Sequence, residues 1–281
     1  MTKKIISIFF AILLVLSFSA CGKEKEETPA AADNATTTTT LRVGFCPGPY
    51  GDMWKTAIAP QLEAKGYEFQ YIEFSDYVQP NNALANNEID VNLFQHSIYL
   101  KNFSTEHNLD LSPVTEVPTA GMGIWSNTTK SLDELADGAT VTIPNDETNQ
   151  ARGLRVLEAA GLITLKADTD KAKAIPEDID QNPHNLKIVP TEAAQLPRTL
   201  DSADLAVING NFAISAGLDF SAALYNETLA EGYVNVIAVR TADLESQFVA
   251  DIKDVATNDT FKSIIEDPSG AFYTFQKPVG W

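Results

Sequence analysis

Short apolar runs alternate with amphipathic stretches along the chain from Leu41 onward. Short runs that are alternating or continuously apolar predict strands, and in the first part of the chain they fall at residues 41–45, 67–74, 89–94 and 111–117. Apolar residues at helical spacing predict helices between them, at residues 54–65, 78–87 and 97–107. Pro60 predicts a kink in the first helix and Gly66 its end. Strands and helices that alternate with short connections indicate a largely parallel α/β sheet.

A second unit of the same kind begins near Ile124. Its predicted strands lie at residues 140–143, 186–189 and 205–208, and its best helix covers residues 148–160 and is closed by Gly161. A further strand at residues 235–240 and helical stretches at residues 244–257 and 260–265 return to the first unit. We therefore expect an α/β fold of two lobes, each a mainly parallel sheet flanked by helices. Lobe 1 is predicted at residues 41–123 plus 235–281 and lobe 2 at residues 124–234, with crossover segments near 122–126 and 226–234.

The N-terminus has the pattern of a secretory signal. Lys3 and Lys4 precede an apolar run at residues 5–18, and Ser19, Ala20 and Cys21 follow it. The run is too short for a good membrane span, so residues 1–20 are predicted to be a cleaved signal peptide. Cys21 after two small residues resembles a bacterial lipobox, in which the cysteine is acylated after cleavage. The alternative is a plain signal peptide that leaves an ordinary thiol.

Residues 21–40 are predicted to be a flexible tether, because charged residues, Thr, Pro and Ala cannot bury enough apolar surface to offset the lost chain entropy. The whole chain has a formal net charge of −18. Cleavage removes two lysines and no acid, which leaves 18 positive against 38 negative groups, or −20. Such a charge repels phosphate backbones and anionic membrane surfaces, so we expect no nucleic-acid partner and a covalent lipid anchor. The expected location is the extracytoplasmic face of the cell membrane.

The motifs that usually identify a secreted enzyme are missing from the sequence. It has two cysteines, no glycine-rich phosphate loop, no Gly-x-Ser-x-Gly elbow, and no His-Glu-x-x-His or other metal spacing. We therefore expect no catalytic residues, no metal and no cofactor.

Polar and aromatic residues cluster where two predicted strands give way to helices. One cluster lies at residues 74–81 and contains Tyr77, and the other lies at residues 92–99 and contains Phe94, His96 and Tyr99. The carboxyl ends of parallel strands form the crevice in which open α/β sheets bind ligands. Aromatic rings with polar edges suit a small organic molecule. The alternative is that the rings are core aromatics and His96 is a turn histidine.

Residues 143–152 predict a helix start capped by Asp146 or Thr148, with Arg152 in or near its first turn. A guanidinium beside free helix N–H groups suits a carboxylate ligand. A local salt bridge from Arg152 to Asp146 or Glu147 is the alternative.

Amides occupy two further strand ends. Asn209 and Asn211 follow an apolar strand, and Asn235 begins the returning strand. An asparagine can accept from an ammonium or donate to a carboxylate. Turn chemistry is the alternative for Asn211.

These ordered segments are together similar to a known family over nearly all of residues 41–281. The matching stretches are Val43-Gly44 with Pro47-Gly48-Pro49, residues 74–81, Phe94-Gln95-His96 with Tyr99, Ile143-Pro144-Asn145-Asp146 with Thr148-Asn149, residues 192–198, Ile208-Asn209-Gly210-Asn211 and the terminal Gly280-Trp281. The sequence resembles the methionine-binding lipoprotein family (NlpA type), the substrate-binding subunits of bacterial methionine import ABC transporters.

The resemblance implies a two-lobed periplasmic-binding-protein fold that closes on L-methionine or a close analogue and delivers it to an ABC permease and its ATPase. By that analogy Tyr77, Phe94, His96 and Tyr99 line the side-chain pocket. Arg152 with Asn149 holds the α-carboxylate, and Asn209 and Asn235 complete the polar contacts.

Three positions depart from the family: Cys46, Ile98 and Trp125. Cys46 and Trp125 are expected to border the cleft, which leaves open another methionine derivative, a short Met peptide or another apolar amino acid. Cys46 is expected to be a packed thiol. Two remote alternatives are a secreted enzyme that uses His96 with Asp76 and a lipoprotein that acts in adhesion or as a spacer.

Overall fold

The computed structural model describes residues 38–281, and its first strand is β1 (Thr39–Phe45). The predicted signal peptide, the predicted lipidation at Cys21 and residues 22–37 of the predicted tether lie outside the described residues. Thr39 and Thr40 are not part of the tether, contrary to expectation, because they pair with β2 at Tyr67 and Glu68. β-Branched residues favour this extended conformation, and the ladder therefore starts two residues before Leu41.

The elements of the first part of the chain follow the predicted alternation. They are, after β1, α1 (Pro49–Met53), a π-helical segment (Trp54–Ile58), α2 (Ala59–Glu63), β2 (Tyr67–Glu73), α3 (Gln79–Ala85), β3 (Val91–His96), α4 (Ser97–His107) and β4 (Leu111–Val117). The predicted kink at Pro60 is a π-helical turn, in which the Ala59 N–H donates to the Trp54 carbonyl oxygen. Because Pro60 has no N–H to donate, the regular ladder is already broken there, and a wider turn is tolerated.

The middle of the chain forms a second set of elements. They are β5 (Gly123–Trp125), β6 (Thr140–Pro144), α5 (Glu147–Ala159), β7 (Thr164–Leu165), β8 (Ile179–Gln181), β9 (Lys187–Thr191), α6 (Leu196–Thr199), β10 (Leu205–Ile208), α7 (Gly210–Ser215) and β11 (Tyr225–Asn226). The chain then returns through β12 (Asn235–Arg240), α8 (Gln247–Val255) and α9 (Asp259–Ile265).

Two five-stranded sheets organise these elements. The first has the strand order β2-β1-β3-β12-β4 and the second the order β11-β5-β10-β6-β9. In each sheet four strands run in one direction and one is reversed, namely β12 in the first sheet and β5 in the second. The α/β class with two sheets flanked by helices is therefore confirmed, and both sheets are mixed. The exact lobe boundaries stay a prediction.

The reversed strands have a simple geometrical cause. β5 follows the first crossing between the sheets, and β12 follows the second. The carboxyl end of β4 lies at the side of the first sheet that faces the second sheet. A strand that the chain enters from this side must run away from it, in the direction opposite to its neighbours. Asn235, the first residue of β12, accordingly pairs with His96 and Val117, the last residues of β3 and β4. Strand ends from both sheets thus meet at one crevice.

Four apolar clusters lie in the described part of the chain, and the smallest packs α3 and α4 against β12 around Leu84 and Leu100. One packs the first sheet against the helices around Trp54 and Phe261, and a second packs the second sheet against α5. The third contains Tyr77, Phe94 and Tyr99 from the first half of the chain together with Ile208 and Phe212 from the second. The two halves are therefore in direct apolar contact beside the crevice.

Candidate functional site

One cavity at the crevice is lined by every side chain predicted to contact a ligand. The eight are Tyr77, Phe94, His96, Tyr99, Asn149, Arg152, Asn209 and Asn235. The space between the lining side chains that is not filled by atoms is about 310 Å³, with open solvent at the mouth of the cavity included. The structure brings the predicted residues together, while their role toward a ligand stays a prediction.

The aromatic wall is built from the end of β3, the start of α4 and the loop before α3. The ring centroids of Tyr77 and Phe94 are 5.8 Å apart, those of Tyr77 and Tyr99 are 5.9 Å apart, and Phe212 lies 5.0 Å from Tyr77. The Tyr99 hydroxyl donates to the Tyr77 carbonyl oxygen at 3.0 Å. These spacings are those of interacting aromatic pairs, so the wall is rigid and apolar.

His96 caps α4 and is neutral. Its Nδ1 accepts the Tyr99 backbone N–H at 3.0 Å, so the proton of the neutral ring lies on Nε2. Nε2 then donates to Asn149 Oδ1 at 3.2 Å. Burial, with a smaller contribution from the charge of Arg152, lowers the pKa of His96 to about 3. This histidine is therefore a fixed hydrogen-bond donor.

Asn149 is held on all sides by protein groups. Its Oδ1 accepts from His96 and from Asn209 Nδ2, the latter at 2.9 Å, and its Nδ2 donates to the carboxylate of Asp146 at 3.0 Å. Asp146 also caps α5 by accepting the Asn149 backbone N–H. Burial raises the pKa of Asp146, against the hydrogen bonds from Asn149 that lower it. In this arrangement Asn149 orients His96 and Asn209.

Asn209 leaves one acceptor unused. Its Oδ1 is buried and has no hydrogen-bond partner among the described residues. An unpaired buried polar atom costs about 1–3 kcal/mol. Asn209 lines the cavity, so a donor on a ligand would remove this cost.

Arg152 lies in the second turn of α5, since Asp146 is the N-cap and Glu147 the first helical residue. It is therefore near the first turn but not within it. Neither local salt bridge forms: Asp146 caps the helix, and Glu147 accepts from Asn102 Nδ2 at 3.0 Å.

The ion-pair partner of Arg152 is instead Glu227, near the start of the second crossover. Nε of Arg152 donates to Glu227 Oε1 at 2.9 Å, and Nη2 donates to Oε2 at 2.6 Å. Burial lowers the pKa of Arg152, but the charge of Glu227 and its hydrogen bonds outweigh this effect, and the pKa is raised. Nη1 donates to no acceptor in the part of the chain that the structure describes, and Arg152 lines the cavity.

Asn235 closes the far side of the cavity. Its Nδ2 donates to the Phe94 carbonyl oxygen at 3.2 Å, and its backbone N–H donates to Thr119 Oγ1 at 2.8 Å.

Several lining residues were not among the predicted contacts. They are Tyr50, Gln95, Ala120, Gly210 and Asn211. Asn211 accepts from the Tyr77 hydroxyl and donates to the Pro47 carbonyl oxygen at 2.9 Å, so it joins the two halves across the crevice. Its position after a strand is the signal that points to it, although the same position also suits a turn residue. Tyr50 and Glu227 carry no comparable signal.

Gln95 belongs to a buried amide network. It exchanges hydrogen bonds of 2.7 Å with Asn81, and both contact Asn92. All three are at most 3% exposed. The network fixes the start of α3 against the end of β3 and so supports the aromatic wall.

Cys46 and Trp125 do not line the cavity, contrary to expectation. Cys46 is 2% exposed, and its Sγ donates to the Asp76 carbonyl oxygen at 3.2 Å. Burial raises its pKa well above the usual value. Trp125 packs against Phe220, and its Nε1 donates to the Asp219 carbonyl oxygen at 3.1 Å. Apolar packing draws both side chains into the core beside the cavity, and Cys46 is the packed thiol that was expected.

Within residues 38–281, no three His, Cys, Asp or Glu side chains are grouped so that they could hold a metal ion. The same residues contain no helix whose length and apolar character would let it cross a membrane.

Comparison with known proteins identifies relatives of this chain. The model of the NlpA lipoprotein family matches residues 41–275. The membrane lipoprotein TpN32 of Treponema pallidum is 35% identical over 230 residues, covering 82% of this chain and 81% of that protein. The probable D-methionine-binding lipoprotein MetQ of Haemophilus influenzae is 34% identical over 258 residues, covering 90% and 91%.

Solved structures agree. A nutrient-binding protein from Burkholderia cenocepacia bound to methionine is 36% identical, has a TM-score of 0.76, and is matched over 81% of this chain and 95% of that one. Both the sequence match and the shared fold extend over most of the described body. The chain belongs to the NlpA lipoprotein family.

Proposed function

We propose that this chain is an extracytoplasmic, lipid-anchored solute-binding protein that captures L-methionine or a close analogue and delivers it to an ABC import permease. The observation that carries the proposal is the single cavity in which an aromatic wall faces a buried guanidinium and an unpaired amide oxygen. Relatives named D-methionine-binding lipoproteins and a related structure bound to methionine support this ligand class.

Each part of the cavity matches one part of a free amino acid. Nη1 of Arg152 is the donor for the α-carboxylate, and Oδ1 of Asn209 is the acceptor for the α-ammonium. The rings of Tyr77, Phe94 and Tyr99 enclose the side chain. An unbranched thioether is polarizable and makes favourable contacts with aromatic rings, so methionine suits the wall.

Transport follows from closure rather than from chemistry. His96 and Tyr77 hydrogen-bond to Asn149 and Asn211 across the crevice, so bringing the halves together excludes water from the ligand. In the dry cavity the carboxylate contact strengthens, and the closed shape is what the permease and its ATPase recognise. Acylation of Cys21 keeps the protein at the membrane.

The geometry favours a receptor over an enzyme that uses His96. A general base needs a pKa near the working pH, whereas the pKa of His96 is about 3. Asp76, the expected orienting acid, accepts instead from the backbone N–H groups of Val78 and Gln79.

The first test is to denature the purified protein and to identify the released ligand by mass spectrometry. The second is calorimetric titration with both enantiomers of methionine, methionine sulfoxide and short Met peptides. Arg152→Gln should weaken methionine binding by at least roughly tenfold, since a hydrogen bond to a charged group contributes about 1.5–3 kcal/mol. The exposed Arg198→Gln is the matched control and should bind normally. Unchanged affinity in the Arg152 variant would refute the carboxylate assignment.

A further inference from the structure

The cavity has one ionised lining side chain among the described residues, Arg152. His96 is neutral, and burial raises the pKa of Tyr50 to about 12 and that of Tyr77 well above its usual value. Left alone, the guanidinium would give the cavity a charge of plus one.

The carboxylate of Glu227, which does not itself line the cavity, neutralises the charge of the Arg152 guanidinium. Its side chain is 9% exposed and contacts Nε and Nη2 of Arg152, while its Oε2 also accepts the Met122 backbone N–H at 2.7 Å. The backbone of Glu227 is fixed as well, because its N–H donates to the Met122 carbonyl oxygen and its own carbonyl oxygen accepts from Gln276. The carboxylate therefore has a defined position against both crossovers.

Two other charged groups face this region. Asp146 reaches it through Asn149, but its carboxylate accepts from Asn149 and Thr148 and caps the N-terminus of α5, whose dipole offsets a negative charge. Arg155 lies 5.0 Å from the Tyr233 ring centroid and does not line the cavity. Neither group replaces Glu227 as the counter-ion of Arg152.

We propose that Glu227 is a specificity-determining residue that makes the cavity neutral and so selects a zwitterion over an anion of the same shape. This inference rests on the proposed function. A ligand with a carboxylate but no ammonium would bring an uncompensated charge into a buried site, which is costly. A zwitterion brings none, and its ammonium can use the free oxygen of Asn209.

The test compares three probes in calorimetric titrations: L-methionine, its deaminated analogue 4-(methylthio)butanoate, and L-methioninamide. The first is a zwitterion, the second an anion and the third a cation. The wild-type protein should prefer methionine over either charged analogue by at least roughly tenfold.

Glu227→Gln keeps the size of the side chain and an acceptor for Met122 while it removes the charge. The variant should reduce the ratio of the affinity for methionine to the affinity for the anion by at least roughly tenfold, and it should lower the affinity for the cation further. A merely structural role would weaken all three probes alike. The matched control is Glu231→Gln, an exposed glutamate on the same crossover, which should leave every ratio unchanged.

If Glu227→Gln does not fold, Glu227→Asp decides, since it keeps the charge but withdraws it from Arg152. The ratio of the affinity for methionine to the affinity for the anion should then fall by about threefold or more. An unchanged ratio of methionine to anion in the folded variant overturns the inference, as does a wild-type protein that binds the anion as tightly as methionine. A wild-type protein that binds none of the probes refutes the proposed function instead.

Discussion

Neutral, buried His96 makes the stability of the protein depend on pH in a defined window. In the unfolded chain a histidine takes up a proton below its ordinary pKa of 6.5, whereas in the folded protein His96 does so only at about 3. Between these values the unfolded state binds more protons, so stability rises with pH. The contribution is complete above the unfolded pKa and is lost as the pH falls toward the folded pKa.

The magnitude follows from the two pKa values. Between pH 7 and pH 5, the free energy of unfolding should fall by about 2 kcal/mol because of His96 alone, at about 1.4 kcal/mol per pH unit inside the window.

His96→Asn is the matched comparison. An asparagine side chain can still accept the Tyr99 N–H as a helix cap, but it does not titrate. Urea unfolding of ligand-free protein, with ligand removed because it would stabilise the folded state, gives the free energy of unfolding at both pH values. The drop should be about 2 kcal/mol larger in the wild type than in the variant. Equal drops would contradict the assignment of a buried neutral imidazole.

Three further predictions concern single side chains. Cys46 should resist a thiol reagent in the native protein and react on denaturation, and rapid native labelling would contradict its burial. Asn209→Ala should weaken methionine binding by roughly tenfold to a hundredfold in calorimetry, because the acceptor for the ammonium is lost; unchanged affinity would remove Asn209 from the site. Asp90→Ala should lower the free energy of unfolding by about 1–3 kcal/mol, because the Asp90 carboxylate accepts three hydrogen bonds from Arg42. Asp254→Ala should lower it by at most about 1 kcal/mol, because the partner of Asp254, Lys65, is exposed. Equal urea midpoints for the two variants would argue against a stronger pair at Asp90.

Much of the fold could be predicted because the pattern of burial is local in the sequence. The strands Leu111–Val117, Leu205–Ile208 and Asn235–Arg240 and the helix Ser97–His107 have the predicted bounds. In each case a regular alternation, a continuous apolar run or a capped amphipathic stretch identifies the element.

Strand direction and short elements could not be predicted in this way. β5 and β12 are reversed because of the side from which the chain enters each sheet. That side is a property of the tertiary structure and not of the local sequence. β5 has only three residues and β11 only two, too few for any periodicity. The π-helical turn at Trp54–Ile58 appears in the sequence only as the proline after it.

The site was predictable where its residues sit at strand ends and not where they act from connecting segments. His96 and Asn209 follow apolar runs, so their place at the crevice follows from the topology rule for α/β sheets. Glu227 lies in an irregular connection, 75 residues from Arg152. Nothing local distinguishes it from other surface acids in so acidic a chain.

The most direct test of the account is a calorimetric titration of ligand-free protein with L-methionine. One saturable site per chain, strongly weakened by Arg152→Gln and retained in Arg198→Gln, is the result that a shared cavity predicts. The absence of saturable binding by methionine and each of its analogues, in protein that remains folded, would contradict it.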